Sequence, residues 1–344
     1  NEYMNSRFYF IAKSTLILVY GVILAGSVVR MTGSGMGCPD WPKCFGYLIP
    51  PTDHAQLEWT PNHSYNKGNI IIVNESLQVA KYDFVSSSTY NSTQWEAYTK
   101  HDYAEFNPFH TWVEFINRLL GALAGLATVL MFVFSLQFWK DKKRIPILSF
   151  LAVLGMGFQA WLGKTVVDSN LAPFKITIHM VMALVIVALL WILKPYARTT
   201  RNLVLRNTLW VALGLTLLQI IMGTQVRQFV DIQVGLWGYD QPSQWLDNVP
   251  VVFYIHRSFS IAVVMLHLYL LKLSFSQQEK TRHIYWILGC IGLEVITGII
   301  MYYGDFPFAS QPIHLFIASI LFGIQMDWWL HETNTKKQHN DLSI

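Results

Sequence analysis

The chain has 344 residues, 53% hydrophobic and 13% charged, and a soluble domain carries about 25% charged residues. With 13 Trp, 16 Tyr, 21 Phe and a net charge of +4, this composition excludes a disordered chain, a disulfide-scaffold toxin, an ordinary soluble enzyme and a nucleic-acid binder. What remains is a polytopic membrane protein.

A bilayer core takes about 20 apolar residues per helix. Eight stretches qualify: 8–29, 111–138, 145–167, 176–195, 206–228, 252–274, 284–303 and 312–331. The expected fold class is therefore all-α, with eight transmembrane helices. Span 1 is too long and too polar at its outer end for a cleaved signal peptide. The loop after it, about 30–108, is rich in Asn, Ser, Thr and Tyr. Its apolar patch Ile70-Ile71-Ile72-Val73 points to a small outer cap containing a strand or a short helix. Sequons at Asn62, Asn74 and Asn91 matter only in a glycosylating compartment, and composition alone accounts for them.

Basic residues set the expected orientation. The 2–3 link holds Lys140, Lys142, Lys143 and Arg144. The 4–5 link holds Lys194, Arg198, Arg201 and Arg206, and the 6–7 link holds Lys272, Lys280 and Arg282. The opposite links hold only Lys175 and Arg227. Both termini are expected on the cytoplasmic or matrix side. No Arg-rich amphipathic presequence is visible, which favours a bacterial cell membrane over the mitochondrial inner membrane.

The chain repeats itself weakly. Gly26-Ser27-Val28-Val29-Arg30 ends span 1, and Gly223-Thr224-Gln225-Val226-Arg227 ends span 5. Asn117-Arg118 in span 2 matches His256-Arg257 in span 6. Gln159-x-x-x-Gly163 in span 3 matches Glu294-x-x-x-Gly298 in span 7, and each of these glycines precedes a histidine, His179 or His314, by 16 residues. Two four-helix halves follow, residues 1–200 and 201–344, the first carrying the long loop. An even number of spans per half relates them by an axis along the membrane normal.

Ionisable residues inside spans are costly and so are functional candidates. His256 and His314 lie at similar depth on two helices of one half, the arrangement that puts an imidazole on each face of a haem iron. Interfacial histidines bonded to water or carbonyls are the plainer alternative. The first half offers His179, opposed by Asn117, whose amide is a poor iron ligand. Glu114 lies one turn before Asn117 on the same face, and His110 one turn further out. Glu114 either pairs with Arg118 or stabilises positive charge beside a bound ring. Arg30, Arg118, Arg227 and Arg257 sit at outer span ends, where they grip haem propionates or snorkel to lipid phosphate. Cys38 and Cys44 flank a short outer segment that forms a disulfide in an oxidising compartment, as a staple or a redox relay. Cys290 reads as packing, and His267 as a hydrogen-bonded packing residue or the mark of a second haem. His54, His63, His101, His283, His331 and His339 lie in loops or tails without a partner at metal-ligand spacing. The run Gly33-Ser34-Gly35-Met36-Gly37 follows a transmembrane helix rather than a strand, so it is no nucleotide loop.

Taken together, the run from Arg30 to Cys44 (RMTGSGMGCPDWPKC), Glu114-Phe115-Ile116-Asn117-Arg118, His179, His256-Arg257 and His314 resemble the haem A synthase family. The resemblance implies haem b held between His256 and His314, haem O as substrate in the first half, a catalytic role for Glu114, and the cysteine pair at Cys38 and Cys44. The product would be haem A for cytochrome oxidase. A haem O synthase, and an electron donor that is ferredoxin-like or a quinol, are the implied partners, in membrane lipid and with room for a homo-oligomer. One departure stands out: the family commonly carries Glu-x-x-His-Arg where this chain has Glu-x-x-Asn-Arg. His179 then holds the substrate iron alone, or His110 swings in, or the chain is an inactive haem-handling paralogue. A di-haem b-type electron-transfer cytochrome is the nearest rival. A transporter is disfavoured, because prolines lie at span ends and in loops.

Overall fold

The structure is a computed structural model that describes residues 2–99, 105–168, 173–196, 202–275 and 282–333. Arg198, Arg201, Lys280, His101 and His339 lie outside the described residues. Among the described residues, eight helices are long and apolar enough to cross a membrane. They are α1 (Glu2–Met31), α2 (Pro108–Ser135), α3 (Arg144–Asp168), α4 (Pro173–Ile192), α5 (Leu203–Trp237), α6 (Val251–Phe275), α7 (His283–Tyr303) and α8 (Ser310–Thr333). The chain is a multi-pass membrane protein.

Local chemistry explains several ends. Asn107 caps α2 by accepting from the Phe109 and His110 amides, with Pro108 in the first turn. Asn202 caps α5 by accepting from the Leu205 amide. The fourth span was expected to reach 195, but α4 stops at Ile192, ahead of Pro195, which disfavours helix in the residue before it. The fifth was expected to end at 228, and α5 runs on to Trp237 because Asp231 finds partners there.

α4, α5 and α8 are the most enclosed helices, and α7 the least. The largest core cluster joins Val19 and Ile23 of α1, Leu184 and Val187 of α4, Ile220 of α5 and Phe322 of α8, so it draws on residues from both sides of position 200. A second cluster packs Leu205 and Leu209 of α5 against Leu270 of α6, Ile287 of α7 and Trp328 of α8. Exposed Leu126, Val133, Leu154, Ile261 and Ile296 belong to the apolar outer belt of α2, α3, α6 and α7. In lipid such contacts act through close packing rather than escape from water.

The long loop forms a small β cap. β1 (Ser64–Tyr65) pairs with β4 (Phe84–Val85), and β2 (Ile70–Val73), β3 (Ser76–Ala80) and β5 (Trp95–Ala97) make a second antiparallel sheet in the order β2-β3-β5. Asn74 and Glu75, both at positive φ, make the two-residue turn between β2 and β3. Alternation along β2 sends Ile70 and Ile71 to opposite faces, each into its own cluster.

Candidate functional site

One local device recurs at four helix pairs. Asn117 on α2, His179 on α4, His256 on α6 and His314 on α8 each face a glycine on an adjacent helix. A Cβ on Gly26 would lie 3.8 Å from Asn117 Oδ1. The corresponding distances to histidine Cε1 are 3.8 Å from Gly163 to His179, 3.2 Å from Gly223 to His256 and 3.9 Å from Gly298 to His314. A larger side chain would fill the space beside each ring, so glycine lets the helices close and the ring edge seat.

A second device holds the backbone beneath. Gln159 Nε2 donates to the His179 carbonyl at 3.0 Å, and Gln219 Nε2 to the His256 carbonyl at 2.9 Å. Each glutamine stands four residues before its glycine. The residue so placed in α7 is Glu294, whose Oε2 lies 3.2 Å from His314 Nδ1. Thr297 Oγ1 approaches the same nitrogen at 2.7 Å.

These residues fit an iron porphyrin. His179 Nδ1 and His256 Nδ1 are buried with no partner among the described residues, so neither ring is tied up by protein contacts at that nitrogen. His314 Nδ1 contacts Thr297 Oγ1 and lies near Glu294 Oε2, which leaves Nε2 as the ring nitrogen to face a ligand. Asn117 Oδ1 is also buried, with no partner among the described residues. His267 differs: it is fully buried, with Nδ1 2.6 Å from the Val263 carbonyl and Nε2 2.7 Å from Gln325 Nε2, so both nitrogens are engaged in packing. A cleft of about 310 Å³ near the start of α6 and the end of α7 is lined by Phe253, Tyr254, Tyr302 and Asp305 among others.

Glu114 is buried, and both its oxygens have partners. Oε1 accepts from Arg118 Nη2 at 2.5 Å and Oε2 from the Cys38 amide at 2.8 Å. Arg118 Nη1 donates to the Asp40 carbonyl at 2.7 Å and the Lys43 carbonyl at 3.0 Å. Thr111 Oγ1 donates to the Gly37 carbonyl. The Cys38–Cys44 segment, closed by its disulfide, is therefore fastened onto the N-terminal turns of α2. His110 Nδ1 lies 2.9 Å from Ser34 Oγ, which contacts Thr32 Oγ1 at 2.6 Å, so His110 is held against the segment following α1.

The four arginines divide. Arg118 serves the cysteine segment. Arg30 and Arg227 share Asp231, with nitrogens 2.6 and 2.8 Å from its carboxylate, and Arg227 Nη2 also donates to the Arg30 carbonyl. Arg227 Nη1 is buried without a partner among the described residues. Arg257 makes no ion pair among the described residues and lies 6.0 and 5.8 Å from the rings of Tyr254 and Tyr302.

Sequence reasoning missed Asp231, whose signal was its spacing of four from Arg227. His283 was read as a loop residue. It bonds Asp327 through Nε2 at 3.0 Å and stacks on Trp328, while Lys194 bonds the same carboxylate at 2.7 Å. His54 lies exposed beside Glu58, and Cys290 is a free thiol packed at the second core cluster.

Fold and site together define an eight-helix membrane protein with glycine-backed histidines at its helix interfaces and a disulfide-closed segment seated on α2. The chain belongs to the COX15-CtaA family, cytochrome oxidase assembly protein, whose profile matches residues 9–87 and 85–326. It is similar to the Heme A synthase of Ehrlichia canis (strain Jake), 24% identical over 335 residues that cover 88% of this chain and 86% of that protein. The Heme A synthase of Flavobacterium johnsoniae is 24% identical over 357 residues, 92% of this chain and 95% of that protein. That of Shewanella oneidensis is 27% identical over 197 residues, 57% of this chain and 47% of that protein.

Proposed function

We propose that this protein is a haem A synthase, a membrane oxidoreductase that converts a ring methyl of haem O to the formyl group of haem A. The observation that carries the reading is the glycine-backed position found at four helix pairs, three holding histidine and one holding asparagine near a buried carboxylate. Family membership and the names of the similar proteins support it. Two related halves, 1–200 and 201–344, account for the recurrence.

In this reading His256 and His314 would hold a resident haem b, and His179 and Asn117 would line the site for the substrate haem O. An unactivated methyl group needs a stronger oxidant than any side chain, and the bound haem supplies that redox chemistry. The chain's own residues do the rest. The helix pairs exclude water from the pocket. Glu114, held from both oxygens by Arg118 and the Cys38 amide, is a buried carboxyl whose ionised form puts negative charge in a dry site. That charge stabilises positive character developing beside the ring far more than it would in water. Arg227 and Arg257 are the arginines with capacity left for a propionate. A haem O synthase supplies the substrate, a ferredoxin-like protein or a quinol supplies electrons, and the membrane is a bacterial cell membrane with both termini inside.

A di-haem electron carrier is the reading to set against this one, and there Glu114 serves only to anchor the cysteine segment. Chromatography of extracted pigment decides. With haem O supplied, the wild type accumulates haem A, and Glu114→Ala slows conversion about a hundredfold, leaving haem O or its alcohol. Full haem A formation by that variant refutes the catalytic role. His256→Ala or His314→Ala abolishes the low-spin b-type spectrum, and an unchanged spectrum removes these ligands.

A further inference from the structure

The chain that leads from the cysteine segment into the β cap is tied to α2 at two points. On one side Arg118 donates to the Asp40 and Lys43 carbonyls, and Cys44 exchanges main-chain hydrogen bonds with Tyr47. On the other, Trp112 Nε1 donates to the Pro51 carbonyl at 3.2 Å. Leu48 and Ile49 therefore run beside the first turns of α2. Leu48 is 78% exposed and Ile49 71%. Two adjacent aliphatic side chains left open in a segment held at both ends call for a partner.

The neighbouring helix indicates which one. Phe109, Ile116, Leu119, Leu126 and Val133 are exposed, and with Trp112 they fall on one stripe of α2 at helical spacing. That stripe belongs to the membrane span Pro108–Phe138. Its 31 residues reach about 46 Å at 1.5 Å per residue, beyond the ~30 Å hydrocarbon core, so the first turns of α2 stand in the headgroup layer. Trp112 sits there, where Trp is enriched. The backbone of the segment also suits a layer poor in water. Pro50 and Pro51 have no N–H to leave unpaired, and Trp112 takes the Pro51 carbonyl.

We propose that Leu48 and Ile49 are a lipid contact, entering the acyl-chain boundary beside α2 and seating the β cap on the membrane surface. The occupant is phospholipid, because the two side chains continue the exposed apolar stripe of α2. The contact steadies the chain next to the Cys38–Cys44 segment, whose Cys38 amide holds Glu114.

The test places a fluorophore at the contact. Ile49→Cys is made in full-length protein carrying Cys290→Ser, which removes the free thiol. An environment-sensitive dye is attached without reductant, leaving Cys38–Cys44 closed. The protein is reconstituted in phosphatidylcholine vesicles with or without a doxyl nitroxide on the acyl chain near the headgroup. Ser88→Cys, at an exposed position beyond β4, is the reference. Quenching at position 49 is expected to exceed that at 88 by about threefold, with blue-shifted emission. Equal quenching at the two positions overturns the proposal. Blue-shifted emission that the nitroxide lipid does not quench also overturns it, since a second copy of this chain or another protein would then cover the site. If the Ile49 variant does not fold, Leu48→Cys is measured against the same reference, with the same result expected and the same results overturning the proposal.

Discussion

Asn117 is the residue on which the first half turns. It faces a glycine on an adjacent helix as His256 does, and its Oδ1 is buried without a partner among the described residues. An amide oxygen is a weak ligand for haem iron beside an imidazole. With haem O added, electron paramagnetic resonance is expected to give a low-spin signal from the second half and a high-spin signal from the first. Gly26 leaves room beside position 117, so Asn117→His is expected to convert the high-spin signal to low spin. A wild-type spectrum that is wholly low spin would count against His179 as the sole axial ligand.

Among the elements, α5 shows most directly how a few charges extend a helix. Asp231 lies four residues after Arg227 and also receives Arg30 from the end of α1, so one carboxylate pairs with two guanidinium groups and joins the C-terminal parts of two helices. Removing it leaves Arg30 and Arg227 facing each other. Breaking a fully buried pair costs about 3–5 kcal/mol. Asp231 is 34% exposed, so solvent screening lowers the expected cost of Asp231→Asn to about 1–2 kcal/mol. A thermal melt in detergent checks this, and an unchanged melting temperature would mean that the cluster is dispensable to stability. α2 is fastened differently: Arg118 and Thr111 hold main-chain carbonyls of the cysteine segment, and Glu114 holds the Cys38 amide.

Across the whole molecule, an enclosed bundle carries a cap with its own apolar clusters. Their junction includes Asp40, whose Oδ2 accepts from the Gly46 amide at 2.9 Å. Burial pushes the Asp40 carboxyl above its ordinary 3.8, against the opposing pull of the Gly46 amide and Arg118. The folded cap then binds this proton more readily than the unfolded chain does. Its contribution is unfavourable above the raised folded value and is relieved as pH falls through that value toward 3.8. Asp40→Asn is therefore expected to slow hydrogen exchange in the cap at pH 7 relative to wild type, with the difference vanishing at the acid end. A difference that is the same at every pH would rule out the titration as its cause. At the other end of the bundle, Asp327 of α8 binds Lys194 beyond α4 and His283 at the start of α7, tying elements far apart in the chain.

Sequence by itself determined the eight helices, because a run of apolar residues long enough to cross lipid has few alternatives once its backbone must satisfy its own hydrogen bonds. It also brought out Glu114, Asn117, His179, His256 and His314 as candidates, since polar side chains stand out against an apolar span and short motifs recur along the sequence at similar spacing. The cysteine pairing was legible from the short outer segment, and the structure closes that disulfide. Partner choice was not legible. Whether Arg118 meets a propionate or the Asp40 and Lys43 carbonyls, whether His283 is a loop residue or an ion-pair partner, and why α5 runs on to Trp237 all depend on groups remote in the chain. Nor does spacing tell that Gln219 reaches a carbonyl while Glu294 reaches a ring nitrogen. A charged or amide side chain satisfies itself with whatever donor or acceptor packing brings within about 3 Å, and only the tertiary structure decides which one that is.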